Sequence, residues 1–411
     1  MNRIVLIGNG FDLAHGLPTQ HEDFINWYWD QRVREFIKIH KSVSEDILCD
    51  FKIEEPYTWN GFYNSIFSPV TKLIGTDIIH RIKKNQFGVQ TKYHPHSPFF
   101  ESIIEKIETY GWVDIENVYY NYLIGCKIKK DIKINLHVLH DQFHFLTKRL
   151  IDYLKSISTS GTMKLCGIED SIYSKIKLED ISIEGQHFID EYVNDWAKKD
   201  KNVWLAKIQQ HGLDEDEILS EIQAFKDNPE KKKQARDYPE LFLFPDHVLL
   251  LNFNYTYTAD TYDSYTRGSI IHIHGELNEP ESVIFGYGDE LDKSFQQLQN
   301  LNENECLRNI KSIKYLESDN YRNVLRFLES APFQVFIMGH SCGNSDRTLL
   351  NTIFEHQNCI SIKPYYYQKA DGSDNYLDII QNISRNFTNM KLMRDRVVNK
   401  TYCEPLPQAN S

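Results

Sequence analysis

Four groups of residues that could do chemistry each follow a short apolar run in this sequence. Glycine directly after a strand allows a tight turn and lets backbone N–H groups approach an anion such as a phosphate. Amide side chains can hold ribose hydroxyls or a water molecule, and an imidazole can transfer a proton near neutral pH. In chain order the groups are Gly8-Asn9-Gly10-Phe11-Asp12, Asn252-Phe253-Asn254, His274-Gly275 and Gly339-His340-Ser341, with Asp346 shortly after the last. Together they predict a nucleotide-binding site, provided that the fold brings them to one place.

The apolar runs that precede these groups are the elements that must position them. The first, at residues 4–7, is rich in Ile, Val and Leu without polar alternation, which is typical of a parallel strand covered on both faces. Further short runs that are mainly apolar occur at residues 248–251, 269–274, 283–285, 335–338 and 360–362. Helical patterns separate several of them, and this alternation predicts an α/β fold with a Rossmann-like, doubly wound parallel sheet. Because ligands bind at the carboxyl ends of the strands in such a sheet, we expect the four groups to meet there.

A long segment with mainly helical patterning separates the first strand from the others. Its clearest helix is predicted at residues 136–154, where apolar residues recur every three or four positions. A structureless loop of this length would be implausible in a compact protein. The sequence therefore predicts a nucleotide-binding domain made of residues 1–19 and 245–411, with a helical insertion subdomain at residues 20–244.

Composition and charge argue against several classes of protein. The 411 residues carry a net charge of −12, which disfavours a general nucleic-acid binder. No stretch approaches the ~18 consecutive apolar residues of a membrane span. The first strand begins too early to leave room for a signal peptide, so we expect a cytoplasmic protein. The seven cysteines are scattered and include no Cys-x-x-Cys pair, so we expect reduced thiols and no bound metal.

Each candidate side chain also has a purely structural explanation. Asn252 could close an Asx turn after its strand, and His274 could be a hydrogen-bonded core histidine. Ser341 could cap a following helix, Asp346 could be an acid in the first turn of that helix, and Asp12 could simply begin the first helix. These alternatives stay open at the level of sequence.

One competing motif overlaps the last group. Gly339-His340-Ser341-Cys342-Gly343 has the form Gly-x-Ser-x-Gly, which places the nucleophile of α/β hydrolases on a sharp turn after a strand. Such an enzyme needs an Asp and then a His on later loops. Asp346 and His356 follow too closely for those loops, so the hydrolase interpretation is disfavoured.

The motifs resemble those of the sirtuins. Residues 4–18 are similar to the sirtuin first turn, in which Gly-Ala-Gly is followed after a short spacer by Gly-Ile-Pro. Here Gly8-Asn9-Gly10 and Gly16-Leu17-Pro18 keep that spacing. The later groups resemble the sirtuin Asn-Ile-Asp, catalytic His-Gly and Gly-Thr-Ser motifs, and they are Asn252-Phe253-Asn254, His274-Gly275 and Gly339-His340-Ser341.

The chain resembles AbiH-type phage abortive-infection proteins more closely, and the sheet of that family is SIR2-like. Residues 8–19, 252–256 and 272–275 carry this resemblance, together with a patch at residues 112–116 of the helical segment. It implies binding of NAD or a related nucleotide, and cleavage of its nicotinamide–ribose bond as a defence against phage. Asn252 and His274 would then be the catalytic residues. The residues expected to bind the nucleotide are Gly8, Asn9, Gly10, Phe11, Asp12, Asn254, Gly275, Gly339, His340, Ser341 and Asp346.

Departures from the sirtuin pattern narrow this expectation. The deacylases of that family carry a four-cysteine zinc module that this chain lacks, so peptide deacylation is not expected. Asn254 stands where the sirtuin motif has an acid, which removes a charge that could stabilise an oxocarbenium ion. Two other functions stay open, namely a non-catalytic nucleotide sensor that gates a defence partner and a toxin directed at nucleic acid. A phage-derived trigger, a partner protein and a homo-oligomer are each compatible with the sequence.

Overall fold

The structure is a computed structural model that describes residues 1–38, 43–54, 75–84, 90–110, 113–158, 163–227, 238–263 and 268–409. Its strands, in chain order, are β1 (Asn2–Ile7), β2 (Val43–Glu45), β3 (Cys49–Glu54), β4 (Gln90–Pro95), β5 (Val248–Asn252), β6 (Gly268–His272), β7 (Phe333–Met338) and β8 (Cys359–Tyr365). Its helices are α1 (Asn9–Ala14), α2 (His21–Lys38), α3 (Gly75–Lys83), α4 (Pro98–Tyr110), α5 (Ile115–Ile124), α6 (Leu136–Ile157), α7 (Cys166–Ile172), α8 (Gln186–Lys198), α9 (Lys201–His211), α10 (Glu215–Asp227), α11 (Lys293–Asn300), α12 (Lys311–Lys314), α13 (Asn320–Ser330), α14 (Arg347–Phe354), α15 (Tyr376–Arg385) and α16 (Met390–Arg396).

Contacts within the chain divide it into two compact units. The sheet unit consists of Met1–Gly16, Ser160–Ile284 and Ser312–Ser411, and the second unit consists of Leu17–Thr159 and Phe285–Lys311. These units are drawn differently from the predicted domains, because residues 160–244 group with the sheet. The predicted boundaries at residues 19 and 245 stay a prediction about domain organisation.

A five-stranded parallel sheet forms the centre of the sheet unit, in the order β6-β5-β1-β7-β8. In the central strand, Ile4 and Leu6 pack into an apolar cluster on one face of the sheet, which includes residues of α13, α14 and α15. Val5 and Ile7 pack into a cluster on the other face, with residues of α1 and α7. The α/β class and the parallel sheet predicted from the uninterrupted apolar runs are therefore confirmed.

One predicted strand is wrong. Residues 283–285 belong to no strand of the described chain. Ile284 is buried in an apolar cluster of the sheet unit, and its N–H donates to the His274 carbonyl. Phe285 instead stacks on Phe143 inside the second unit, with ring centroids 5.0 Å apart. The apolar run reflects burial of neighbouring side chains in two separate cores, and burial alone does not specify strand pairing.

Helices α8, α9 and α10 form a third apolar cluster in the sheet unit, together with Met1 and Ile360. Met1 precedes β1 and Ile360 lies near the start of β8, so this cluster covers the amino end of the sheet. The loops that follow the strands lie at the carboxyl end of the sheet, which is where ligands bind in sheets of this kind.

The second unit is not purely helical. Its β2, β3 and β4 form an antiparallel sheet that the sequence did not predict, because these strands contain many polar residues. The helix predicted at residues 136–154 is confirmed as α6. In the patch at residues 112–116, Asp114 caps α5 and Glu116 pairs with the buried Lys311 at 2.8 Å, whereas Trp112 lies outside the described residues. Among the helices described, none is long and apolar enough to span a membrane.

Candidate active site

The opening turn, residues 8–12, joins β1 to α1 and lies against the end of β7. The Gly10 N–H donates to the Gly339 carbonyl at 2.8 Å. A Cβ at Gly8 would lie 2.5 Å from the Cα atom of His340. Gly339 has a φ of +76°, and a Cβ there would lie 2.0 Å from the Phe11 nitrogen. The glycines therefore let two strand ends touch, and the Gly10 N–H predicted to bind a phosphate donates to a backbone carbonyl.

The other predicted residues of the opening turn differ in their exposure. Asn9 is exposed at the start of α1, whereas Phe11 is fully buried and packs edge-on against Tyr262, with ring centroids 5.4 Å apart. Phe11 therefore contributes to the core in this structure. Asp12 is 1% exposed, and its Oδ2 accepts a hydrogen bond from the Thr256 hydroxyl at 2.6 Å. Burial raises the pKa of Asp12 to about 6, although neighbouring hydroxyl and amide groups oppose this shift.

Asn252, the last residue of β5, and Asn254, just after it, tie strand ends together. Asn252 is fully buried: its Oδ1 accepts from the Asn254 N–H at 3.0 Å, and its Nδ2 donates to the Thr256 carbonyl at 3.1 Å. The structural alternative of an Asx turn is therefore what is observed. Asn254 donates from Nδ2 to the Gly8 carbonyl at 2.9 Å, which joins the end of β5 to the opening turn. A catalytic role for Asn252 stays a prediction, and it would act through these turn residues.

His274, His340 and Asp346 form a compact group that we call the histidine cluster. The Nε2 atom of His274 lies 3.3 Å from Oδ1 of Asp346, and the Nε2 atom of His340 lies 3.5 Å from Oδ2 of the same carboxylate. The Phe253 ring lies between them, 5.3 Å from the His274 ring and 4.2 Å from the His340 ring. Three predicted residues from two separate parts of the chain are thus brought together, and each is less than a tenth exposed.

Asp346 belongs to a short 3₁₀ turn, Asn344–Asp346, immediately before α14. Its side chain makes no capping bond to that helix, so its position before α14 does not by itself explain the carboxylate. Ser341 is exposed, and it caps neither the 3₁₀ turn nor the helix after it, whose N-cap residues are Gly343 and Asp346. In the described contacts no imidazole bonds the Ser341 hydroxyl, which gives the Gly-x-Ser-x-Gly interpretation no support.

Sequence reasoning missed one residue of this group. Tyr315 is buried, its ring is stacked parallel to the His274 ring, and its hydroxyl lies 3.2 Å from Nε2 of His274. It lies in a 3₁₀ turn, Tyr315–Glu317, where no apolar period marks it. The backbone conformation and the close packing at position 275 both require glycine. The φ of Gly275 is +83°, and a Cβ there would lie 2.2 Å from the Ser282 carbonyl oxygen.

A groove of about 650 Å³ is also present in the sheet unit, lined in part by Gly16, Tyr367 and Lys369. None of the predicted site residues lines it. Within the described part of the chain, no set of three or more His, Cys, Asp or Glu side chains has a geometry that could hold a metal ion.

Comparisons with known proteins give one result at the level of family. The model of the family described as bacteriophage abortive infection AbiH matches residues 4–367, which is most of the chain. Neither the curated proteins nor the solved structures that were searched contain a match. The family model includes the opening turn, both asparagines and the histidine cluster. The chain therefore belongs to the AbiH family of bacteriophage abortive-infection proteins.

Proposed function

We propose that this protein carries out its abortive-infection role by cleaving the nicotinamide–ribose bond of NAD on a SIR2-like sheet. The observation that carries the proposal is the histidine cluster, in which His274, after β6, meets His340 and Asp346, which both follow β7. A carboxylate and two imidazoles at the carboxyl edge of a parallel sheet are suited to proton transfer and to charge stabilisation.

The strand order supports a dinucleotide as the ligand. Counted within the sheet alone, the five strands run 3-2-1-4-5, because β1, β5, β6, β7 and β8 follow in that chain order. In Rossmann sheets with this order the ligand lies where the order reverses, between strands 1 and 4. Those strands are β1 and β7 here, and the contact between the opening turn and Gly339 marks their carboxyl ends.

Cleavage needs little acid catalysis. The nicotinamide ring is cationic while it is bonded to the ribose, and it leaves as neutral nicotinamide. The main barrier is formation of an oxocarbenium-like state, which fixed dipoles and nearby negative charge can stabilise. In this proposal the histidine cluster acts at the ribose, and Asn252 acts by holding the turn that carries Asn254. The exposed Asn9 and Ser341 are the residues that we propose to contact the phosphates or the adenosine ribose.

Infected cells provide the test, because the trigger is supplied by the phage. Cells that carry the native protein should lose NAD and accumulate nicotinamide after infection, whereas cells with His274→Ala should retain NAD. Loss of a group that transfers a proton or stabilises charge lowers such rates by about 100-fold or more. His247→Ala removes an exposed imidazole before β5 and serves as the matched control. Protection from phage with unchanged NAD in native cells would rule out the proposal.

A nucleotide sensor is the second candidate, and the closed geometry favours it. Asn252 is fully buried, and the Gly10 N–H already donates to Gly339. Such a site binds a ligand only after a rearrangement that could be passed to a partner. Calorimetric titration of the purified protein with ADP-ribose, combined with assay of nicotinamide release from NAD, separates the two functions. A sensor binds ADP-ribose and releases no nicotinamide from NAD.

A further inference from the structure

We propose that His274 and His340 are positioning residues that hold Asp346 as a fixed, ionised carboxylate, and that this carboxylate is the group that faces the substrate. The inference rests on the proposed function for the identity of the reaction, but the arrangement of protons stands on the geometry alone. Asp346, which follows β7, would then supply the negative charge that Asn254, which follows β5, does not supply.

The two ring nitrogens of His274 contact different groups of the protein. Its Nδ1 atom lies 3.2 Å from the Phe253 carbonyl oxygen, which only accepts hydrogen bonds, so Nδ1 carries a proton. Its Nε2 atom faces the Tyr315 hydroxyl at 3.2 Å and Asp346 at 3.3 Å. Both ring nitrogens thus contact groups of the protein, and neither is directed at a ligand.

The contacts of His340 determine which of its ring nitrogens carries a proton. The Cys342 N–H donates to Nδ1 of His340 at 3.0 Å, so that nitrogen carries no proton. In the neutral ring the proton is then on Nε2, which faces Oδ2 of Asp346 at 3.5 Å. His340 therefore presents a donor to the carboxylate, and donors to the charged form of a carboxylate favour its ionisation.

These assignments place the remaining proton of the cluster. Nε2 of His274 lies within ion-pairing distance of Asp346, at 3.3 Å, and this contact is favourable only if one proton lies between the two atoms. Because His340 already stabilises the ionised carboxylate, that proton belongs to His274, which becomes an imidazolium. Asp346 then has an N–H group of His274 near Oδ1 and an N–H group of His340 near Oδ2. Its side chain is 10% exposed, twice the 5% of either imidazole, so it is the member of the cluster most open to a ligand.

The aromatic surroundings keep this geometry in place. In the contacts described for His274, the groups that can titrate or carry charge include Asp346, the neighbouring His340 and the hydroxyls of Tyr315 and Tyr255. A tyrosine hydroxyl carries no negative charge, so among these groups Asp346 is the anion that balances the imidazolium. A carboxylate oriented in this way could stabilise a positively charged ribosyl group or hold a ribose hydroxyl.

Nitrogen-15 NMR of the full chain with labelled histidine tests the arrangement directly. At neutral pH the native protein should show His274 protonated on both nitrogens and His340 protonated on Nε2 only. Asp346→Asn should leave His274 protonated on Nδ1 alone. His247→Gln assigns a resonance outside the cluster and should change neither signal. A neutral His274 in the native protein, or His340 protonated on Nδ1, overturns the inference without any variant having to fold.

Kinetics of nicotinamide release then test the role of the carboxylate. Asp346→Asn should lower kcat by about 100-fold or more with a small change in KM. His274→Gln and His340→Gln should keep more activity than Asp346→Asn and should shift the pH profile, because they act through Asp346. A loss with His274→Gln that exceeds the loss with Asp346→Asn contradicts the proposal. If the native protein releases no nicotinamide even in extracts of phage-infected cells, the proposed reaction fails, while the NMR result still decides the arrangement of protons.

Discussion

The opening turn and the histidine cluster lie in the loops at the carboxyl ends of one sheet, but different interactions hold them. In the opening turn, backbone packs on backbone, and its buried acid, Asp12, accepts from a neutral hydroxyl. In the histidine cluster, the buried acid Asp346 lies between two imidazoles that can carry charge. The structure of the opening turn therefore depends on close backbone packing, whereas the structure of the histidine cluster depends on which atoms carry protons.

This difference indicates which region is sensitive to which change. The opening turn should respond to added volume, and its acid should respond to pH because burial raises the pKa of Asp12 to about 6. The histidine cluster should respond to the loss of single hydrogen-bonding atoms, with little effect on folding and a large effect on chemistry.

The largest expected effect is that of Gly339→Ala. The added Cβ would lie 2.0 Å from the Phe11 nitrogen, at a residue with φ of +76°. Overpacking and the left-handed backbone together should lower the free energy of unfolding by about 3–5 kcal/mol. Gly372→Ala is the matched control, because its φ is +83° and nothing lies within 4 Å of its Cβ. Urea unfolding of both variants measures the difference, and equal losses would show that close packing at Gly339 is unimportant.

The next effect is a pH dependence at Asp12. Its pKa of about 6 lies above the value of about 3.9 in an unfolded chain, so the folded state retains the proton to higher pH. The stability that this proton contributes is complete below about pH 4 and is lost as the pH rises to about 6, by about 3 kcal/mol. Asp12→Asn cannot ionise and should escape this loss. Its stability relative to the native protein should therefore rise between pH 4 and pH 7 in urea unfolding, and a constant difference would contradict the shifted pKa.

A smaller effect is expected where Asn254 meets the opening turn. Its amide donates to the Gly8 carbonyl at 2.9 Å, and a carboxylate there could only repel that oxygen. Asn254→Asp should lower the free energy of unfolding at neutral pH by about 1–2 kcal/mol, and Asn254→Ala by less. Thermal unfolding of the two variants ranks them, and a more stable Asn254→Asp protein would remove this reason for the amide.

The smallest effect should be that of Tyr315→Phe in the histidine cluster. It removes a hydroxyl 3.2 Å from Nε2 of His274 and keeps the stacked ring, so the expected loss is about 1 kcal/mol. Tyr321→Phe, whose hydroxyl lies 3.5 Å from Thr352, is the control on the neighbouring ring. Identical unfolding curves for Tyr315→Phe and the native protein would mean that this hydroxyl contributes nothing to the fold.

The fold was predictable where burial leaves a mark on sequence. Strands β1, β5, β7 and β8 are buried on every residue, and the uninterrupted apolar runs follow from that burial. The run at residues 283–285 misled because a segment can be buried without pairing. Strands β2 to β4 were missed because their polar residues leave no uninterrupted apolar run.

Sequence predicted that some candidate residues would lie close together, but not how they are hydrogen-bonded. The rule for the carboxyl ends of parallel strands anticipated that residues near 274 and 340 would meet, and they lie together in the histidine cluster, while their functional roles stay a prediction. The tautomers of the two imidazoles depend on which backbone groups of Phe253 and Cys342 face them, and sequence does not record this. Tyr315 could not be found for the same reason, because only the tertiary fold places its hydroxyl beside His274.

The path of the chain between the two units has a practical consequence for exchanging parts among family members. The backbone passes from one unit to the other four times, since Phe285–Lys311 belongs to the second unit and is flanked on both sides by the sheet unit. A chimera that transplants residues 17–159 alone would separate Glu116 from Lys311, its buried ion-pair partner. Mapping of phage specificity by domain swapping therefore requires both segments to be grafted together.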